Sequence, residues 1–147
     1  MSYFAINITF FGNCKRAIEF YETVFTNSSV EIISFGDVSE LLGGDSLICG
    51  KEDYIYSAKF TIRLEKQEFY LLLADSPSIL FSNKGSMNNN DNLTLVIVVE
   101  EESLVQDLYY RLLQGGKSNI APKKNIAGVM EGSLIDAFGV CWILRAG

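Results

Sequence analysis

The chain has 147 residues, 48% of them hydrophobic, enough for one domain or two small modules sharing a core without help from disulfides. Its formal charge is −6 and its longest basic run is Lys123-Lys124, a balance that repels phosphate backbones and anionic lipid and argues against nucleic-acid and membrane-surface roles. Histidine is absent, so Ser-His-Asp and Cys-His catalysis are excluded from the outset.

Three cysteines, Cys14, Cys49 and Cys141, share no C-x-x-C spacing, which argues against a disulfide framework or a thiolate zinc site and for reduced thiols. The N-terminal apolar run is interrupted by Asn7 and Thr9 and has no basic flank. Neither a signal peptide nor a membrane span is expected, and a cytoplasmic protein is.

In chain order, Phe4, Ile6, Ile8 and Phe10 alternate with smaller or more polar residues and predict a strand with four apolar side chains on one face. Gly12-Asn13 ends it, Asn13 being a candidate N-cap for a helix over Asn13 to Phe25. Cys14, Ala17, Ile18, Tyr21 and Phe25 form the buried face of that helix. Cys14 sits where a helix start can lower a thiol pKa, but no histidine is there to activate it. Val30 to Phe35 is a short β-branched strand. Gly36 to Asp53 reads as a long surface loop, with a brief helix possible at Val38 to Leu42, and loops of this length often cover a site. From Tyr54 the period is two: Tyr54, Tyr56, Ala58, Phe60, Ile62 and Leu64 point one way, Ser57, Lys59, Thr61 and Arg63 the other. Glu65-Lys66-Gln67 predicts a hairpin turn, and Glu68 to Asp75 the returning strand. The first module, residues 1–75, is therefore β-α-β-β-β.

Ser76 to Asn92 has the composition of a solvated linker, with Ser-Met-Asn-Asn-Asn-Asp-Asn at its end. The second module, residues 93–147, opens with a strand at Leu93 to Val99. Glu100-Glu101-Glu102 then favours the positive end of a helix over Glu101 to Gln114. Its apolar stripe is Leu104, Val105, Leu108, Tyr109 and Leu112, and Gly115-Gly116 stops it. Strands follow at Lys117 to Ala121, Ala127 to Ile135 and Val140 to Arg145, around a Pro122-Lys123-Lys124-Asn125 loop and an Asp136-Ala137-Phe138-Gly139 turn. The order is again β-α-β-β-β. A single such module leaves one face of its sheet bare, and curved sheets facing one another would leave a cavity for a ligand.

Gly12-Asn13-Cys14-Lys15-Arg16-Ala17-Ile18-Glu19-Phe20-Tyr21 resembles the "G-N-x-x-x-A-I-x-F-Y" opening of the PhnB-like branch of the glyoxalase/bleomycin resistance/dioxygenase group, the vicinal oxygen chelate superfamily. Ile55 to Ile62, Leu72 to Pro77, Leu112 to Lys117 and the closing Asp136-Ala137-Phe138-Gly139-Val140-Cys141-Trp142-Ile143-Leu144 resemble its later segments in the same order. The resemblance implies an α+β fold of paired βαβββ modules and, commonly, a homodimer.

The same resemblance implies that metal-using members carry His or Glu on the first strand of each module and near strands three and eight. The motifs align Ile6, Ser57, Thr94 and Ile143 with those positions, and none of these is a competent ligand for a divalent metal. No metal, cofactor or catalytic residue is expected. The aromatic pair before the seventh strand is replaced by Ile126-Ala127, with Glu131 following. The methyltransferase label that some PhnB-like sequences carry would need a glycine-rich nucleotide turn, which is missing.

Glu131 and Asp136 could form an acid-base pair, but a solvent-facing carboxylate and a turn residue account for them better. The candidate ligand-binding residues are Tyr56, Ser57, Tyr70, Trp142 and Glu131, the aromatic ones offering rings to a bound molecule. The expected function is metal-free binding of a small apolar or aromatic molecule in a cavity between curved sheets of a homodimer. The alternatives are a superfamily enzyme of lyase or dioxygenase type using unrecognised groups, and a dimeric interaction module with a filled cavity.

Overall fold

Alternating apolar and polar residues form the first strand, β1 (Ile6–Phe10), in the computed structural model, which describes residues 2–81 and 93–147. Ile8 and Phe10 are buried, whereas Phe4, expected on the same stripe, is 86% exposed. The parallel ladder of β1 begins at the pair Ile6↔Leu71, so nothing in the sheet meets Phe4. The chain forms two compact units, Met1–Met87 and Asn88–Gly147.

In the first unit β1 is followed by α1 (Cys14–Val24), β2 (Ser28–Ser34), β3 (Ile55–Leu64) and β4 (Gln67–Asp75). The four strands make one sheet in the order β1-β4-β3-β2, with β1 and β4 parallel and the other neighbours antiparallel. Helix α1 lies over β3 and β4 and buries Cys14, Ala17, Ile18 and Tyr21 against Phe60, Leu71 and Leu73. Tyr21 meets Phe60 edge-on, with ring centroids 6.4 Å apart. Each fully buried side chain of this size stabilises the fold by about 1.5–3 kcal/mol.

The start of α1 differs from the sequence expectation. The Asn13 side chain makes no capping bond. Instead, Asp75 Oδ1 accepts from the amides of Gly12 at 2.7 Å and Cys14 at 3.1 Å, and Oδ2 accepts from the Ile55 amide at 2.9 Å. A buried carboxylate at the end of β4 thus satisfies donors of the helix start and of β3 together. Gly12, at φ +98°, makes the turn, a conformation that side-chain-bearing residues rarely adopt.

The long connection after β2 forms a 3₁₀ helix at Gly36–Leu42, kinked at Val38. Its base is closed by backbone bonds from Phe35 to the Tyr54 carbonyl, 2.7 Å, and from Gly36 to that of Glu52, 3.0 Å. In the stretch read as a linker, Pro77–Leu80 makes a further 3₁₀ turn, with Ser76 as its cap and Ile79 buried. The low-complexity run beyond it lies outside the described residues.

In the second unit β5 (Leu95–Val99), α2 (Glu102–Leu112), β6 (Lys117–Lys124), β7 (Met130–Ile135) and β8 (Cys141–Ala146) repeat the pattern. The sheet order is β5-β8-β7-β6, again with the outer pair β5 and β8 parallel. Helix α2 buries Val105, Leu108, Tyr109 and Leu112 over β7 and β8. The Tyr109 hydroxyl is shared with Ser118 Oγ and also donates to the Ser133 carbonyl at 3.2 Å. At Gly116 a Cβ would overlap the Ile135 carbonyl oxygen, so the chain can pass there only without a side chain. Pro122, Lys123 and Lys124, expected in a loop, belong to β6, whose register shifts on both sides of Ile120. As an edge strand, β6 can hold a proline that donates no ladder bond.

Candidate functional site

Each sheet carries its helix on one face; the opposite face mixes polar with exposed apolar side chains and, on the first sheet, holds the Tyr70 ring. On the first sheet, the residues turned from α1 include Ser57 of β3 and, opposite one another in register, Lys59, Thr61 and Arg63 of β3 with Leu72, Tyr70 and Glu68 of β4. Arg63 Nε donates to Glu68 Oε1 at 3.1 Å, and its guanidinium reaches Ser29 Oγ at 3.3 Å. The other oxygen of Glu68 accepts from the Tyr70 hydroxyl at 2.7 Å. The Tyr70 hydroxyl first, and then Arg63, hold the Glu68 carboxyl below the usual carboxylate range, while the same bond raises the Tyr70 phenol.

This chain orients the Tyr70 ring, and Tyr3, reaching from ahead of β1, lies against it at 4.9 Å between centroids. The Lys59 ammonium stands over both rings, 4.3 Å from the centre of Tyr3 and 5.0 Å from that of Tyr70. A cation at this distance is attracted by the ring quadrupole.

On the second sheet, Ile120, Lys123, Asn125, Glu131, Gly132 and Ser133 line a recess of about 90 Å³. Glu131 Oε2 accepts from Arg145 Nε at 2.8 Å and from Asn125 Nδ2 at 3.3 Å. Asn125 Oδ1 in turn accepts from the amides of Ala127 and Val129, at 2.9 and 3.1 Å, and so fixes the β6–β7 turn beside the recess.

The predicted ligand-binding residues separate. Tyr70, Ser57 and Glu131 lie on helix-free faces. Tyr56 does not continue the apolar stripe of β3. The register shifts from Ile33↔Ser57 to Ser34↔Ile55, leaving Tyr56 as the extra residue of a bulge and 36% exposed, with Ile55 taking the core position. Trp142 is 2% exposed on the α2 side, and its Nε1 donates to Asp136 Oδ2 at 2.9 Å. Its ring is core rather than a surface for a ligand. Asp136 is equally committed: Oδ1 accepts from the amides of Phe138 and Val140, at 2.8 and 3.0 Å, so it is the turn residue and no partner for Glu131. Cys14 is fully buried, and burial first, with Asp75 beside it, pushes its thiol pKa up, against the lowering a helix start can produce.

The positions implied for a metal can be checked on the same register. Ile6 pairs with the core residue Leu71 and belongs to the helix side; its neighbour Asn7, paired with Leu72, is the residue on the opposite face. In the first unit Asn7 and Ser57 supply an amide and a hydroxyl, and in the second Thr94 and Ile143 supply a hydroxyl and a hydrocarbon; none of these suits a divalent metal. Among the described residues no three of His, Cys, Asp and Glu come together to hold one. Nor, among them, is any helix long and apolar enough to cross a membrane.

Tyr3, Lys59, Arg63 and Glu68 of the first sheet, and Lys123 and Asn125 of the second, were not singled out from sequence. The period-two pattern placed Lys59 and Arg63 off the core face, but which residues meet them depends on strand pairing.

Two βαβββ units with this strand order define the α+β fold of the glyoxalase/bleomycin resistance/dioxygenase structures. The chain is similar to the PhnB protein from Bacillus cereus, at 22% identity over 99% of this chain and 100% of that one, with a TM-score of 0.71. It is also similar to protein PA1353 from Pseudomonas aeruginosa, at 21% identity over 99% and 98%, TM-score 0.73. A glyoxalase/bleomycin resistance protein/dioxygenase family enzyme from Burkholderia phytofirmans PsJN matches at 13% identity over 97% and 95%, TM-score 0.55. At these identities the likeness establishes the fold. No protein-family model and no curated protein matches the sequence.

Proposed function

We propose that this protein binds a small molecule without a metal, and does so as a homodimer in which helix-free sheet faces enclose a small apolar or aromatic ligand. The observation that carries the reading is the chemistry of those faces. Ile6, Ser57, Thr94 and Ile143 align with the positions where the resemblance puts His or Glu in metal-using members, and neither they nor Asn7, which takes the place of Ile6 on the helix-free face, suit a divalent metal, while that face of the first sheet carries the rings of Tyr3 and Tyr70. An aromatic ring held by a hydrogen bond, as Tyr70 is, presents an apolar surface at low entropic cost, which suits binding rather than Lewis-acid catalysis.

The test is a thermal-shift screen of a metabolite and antibiotic panel, run before and after exhaustive chelation. A molecule that binds only the folded chain raises its melting temperature by mass action. The expected result is at least one stabilising ligand whose effect is the same in chelator. A stoichiometric transition metal on elemental analysis, or binding abolished by chelator and restored by nickel, zinc or iron, would favour an enzyme of the same fold instead.

A further inference from the structure

Resting on that reading, we infer that the ligand of the first sheet is an aromatic anion, its carboxylate taken by the Lys59 ammonium and its ring placed beside Tyr3 and Tyr70. Lys59 stands opposite Glu31 in the β2–β3 register, where a cross-strand ion pair would be the ordinary outcome. Among the described residues Lys59 closes no salt bridge; its ammonium rests over the two tyrosine rings, near enough to Glu68 for its charge to help the Tyr70 hydroxyl and Arg63 lower that carboxyl. Rings hold a cation in place without using its N–H groups, so three donors stay free for an acceptor that comes from outside the chain. The other charges of the face are already committed, Arg63 to Glu68 and Glu68 to Tyr70. The cation offered to a ligand on this face is therefore Lys59, and Thr61, beside it on the same face, adds a hydroxyl within the sheet. The Tyr70 ring over which the ammonium rests is held by its bond to Glu68, so one wall of the site is ordered before the anion arrives.

Naphthoate and its neutral isostere naphthamide, titrated calorimetrically into the full chain, test this directly. The wild-type protein should bind naphthoate about tenfold more tightly than naphthamide, the scale of one charge-assisted hydrogen bond. Lys59→Met should remove that preference and leave naphthamide affinity in place, Lys59→Arg should keep it, and Glu31→Gln should strengthen naphthoate alone. Added salt should weaken naphthoate and spare naphthamide. Circular dichroism confirms that each variant is folded. Equal affinity for the two probes, or a Lys59→Met variant that loses both equally, overturns the anion assignment while small-molecule binding stands. The assignment also fails if neither probe binds and the screen yields only neutral ligands. A panel without any ligand sinks the underlying reading itself.

Discussion

Asp75 accepts the amide of Cys14 across 61 residues of chain, at 3.1 Å, and this bond ties the start of α1 to the end of β4. The same carboxylate takes the amides of Gly12 and Ile55 and is 1% exposed. One side chain thereby joins the turn after β1, the helix and the first residue of β3.

Asp75→Ala should accordingly be among the most destabilising single changes in the chain. It leaves two buried amides and one half-buried one without an acceptor, and the expected loss is about 3 kcal/mol. Urea denaturation followed by circular dichroism measures it, and a loss under about 1 kcal/mol would mean that water replaces the carboxylate. Asn13→Ala, by contrast, should change stability little, since its side chain caps nothing.

Trp142→Phe should lower stability by about 1–3 kcal/mol, because the indole N–H to Asp136 is lost inside the second core and Oδ2 is left without it. Ligand affinity should not change. The wild-type tryptophan should emit at short wavelength and shift red on unfolding. A variant with unchanged stability and weakened ligand binding would place the ring in a binding site after all.

Cys49, exposed in the loop between β2 and β3, should react with an aromatic disulfide reagent in the folded protein, while Cys14 should react only after unfolding. The raised pKa of Cys14 also has a pH consequence. The unfolded chain releases the thiol proton first. The stabilising contribution is thus complete below the ordinary thiol value of about 8.5 and erodes as pH rises above it. A Cys14→Ala variant should lose stability less steeply between pH 8 and pH 10, the range in which an unfolded thiol of about that pKa titrates. Identical slopes would mean that the thiol does not contribute.

Light scattering should return a dimer of the 16.4 kDa chain at micromolar concentration. The helix-free faces expose Ile33 at 45%, Val96 at 50%, Val98 at 49% and Ile120 at 51%, apolar surface that a second copy would cover. Val96→Lys with Val98→Lys should shift the equilibrium to monomer. A monomer from the wild type at all concentrations would remove the homodimer from the proposal.

Local pattern made most of the architecture legible in advance. The change from a period of two to one of 3.6 at Gly12-Asn13, and again at Glu100 to Glu102, is a property of neighbouring residues, and α1 and α2 lie where it places them. The buried faces of both helices follow from the same spacing, except that Leu104, expected on the stripe of α2, is only half-buried. Even the brief helix considered at Val38 to Leu42 falls within the 3₁₀ helix Gly36–Leu42.

What depends on residues far apart in sequence was decided only in three dimensions. Asn13 is a good cap by its chemistry, but Asp75 occupies the place because the parallel pairing of β1 with β4 carries its carboxylate to the helix start. Tyr56 continues the alternation of β3 on paper and leaves it at a bulge that exists only against β2. Trp142 is a candidate ligand contact by its ring, but the indole bond to Asp136 and its 2% exposure put it in the core on the α2 side. Lys59, Tyr3 and Tyr70 come from three separated segments, so no spacing could announce their cluster. Sequence periodicity determines which face of an element is apolar, because that is a matter of helical or pleated geometry alone; strand register determines which side chains meet, because it is set by pairing between distant segments.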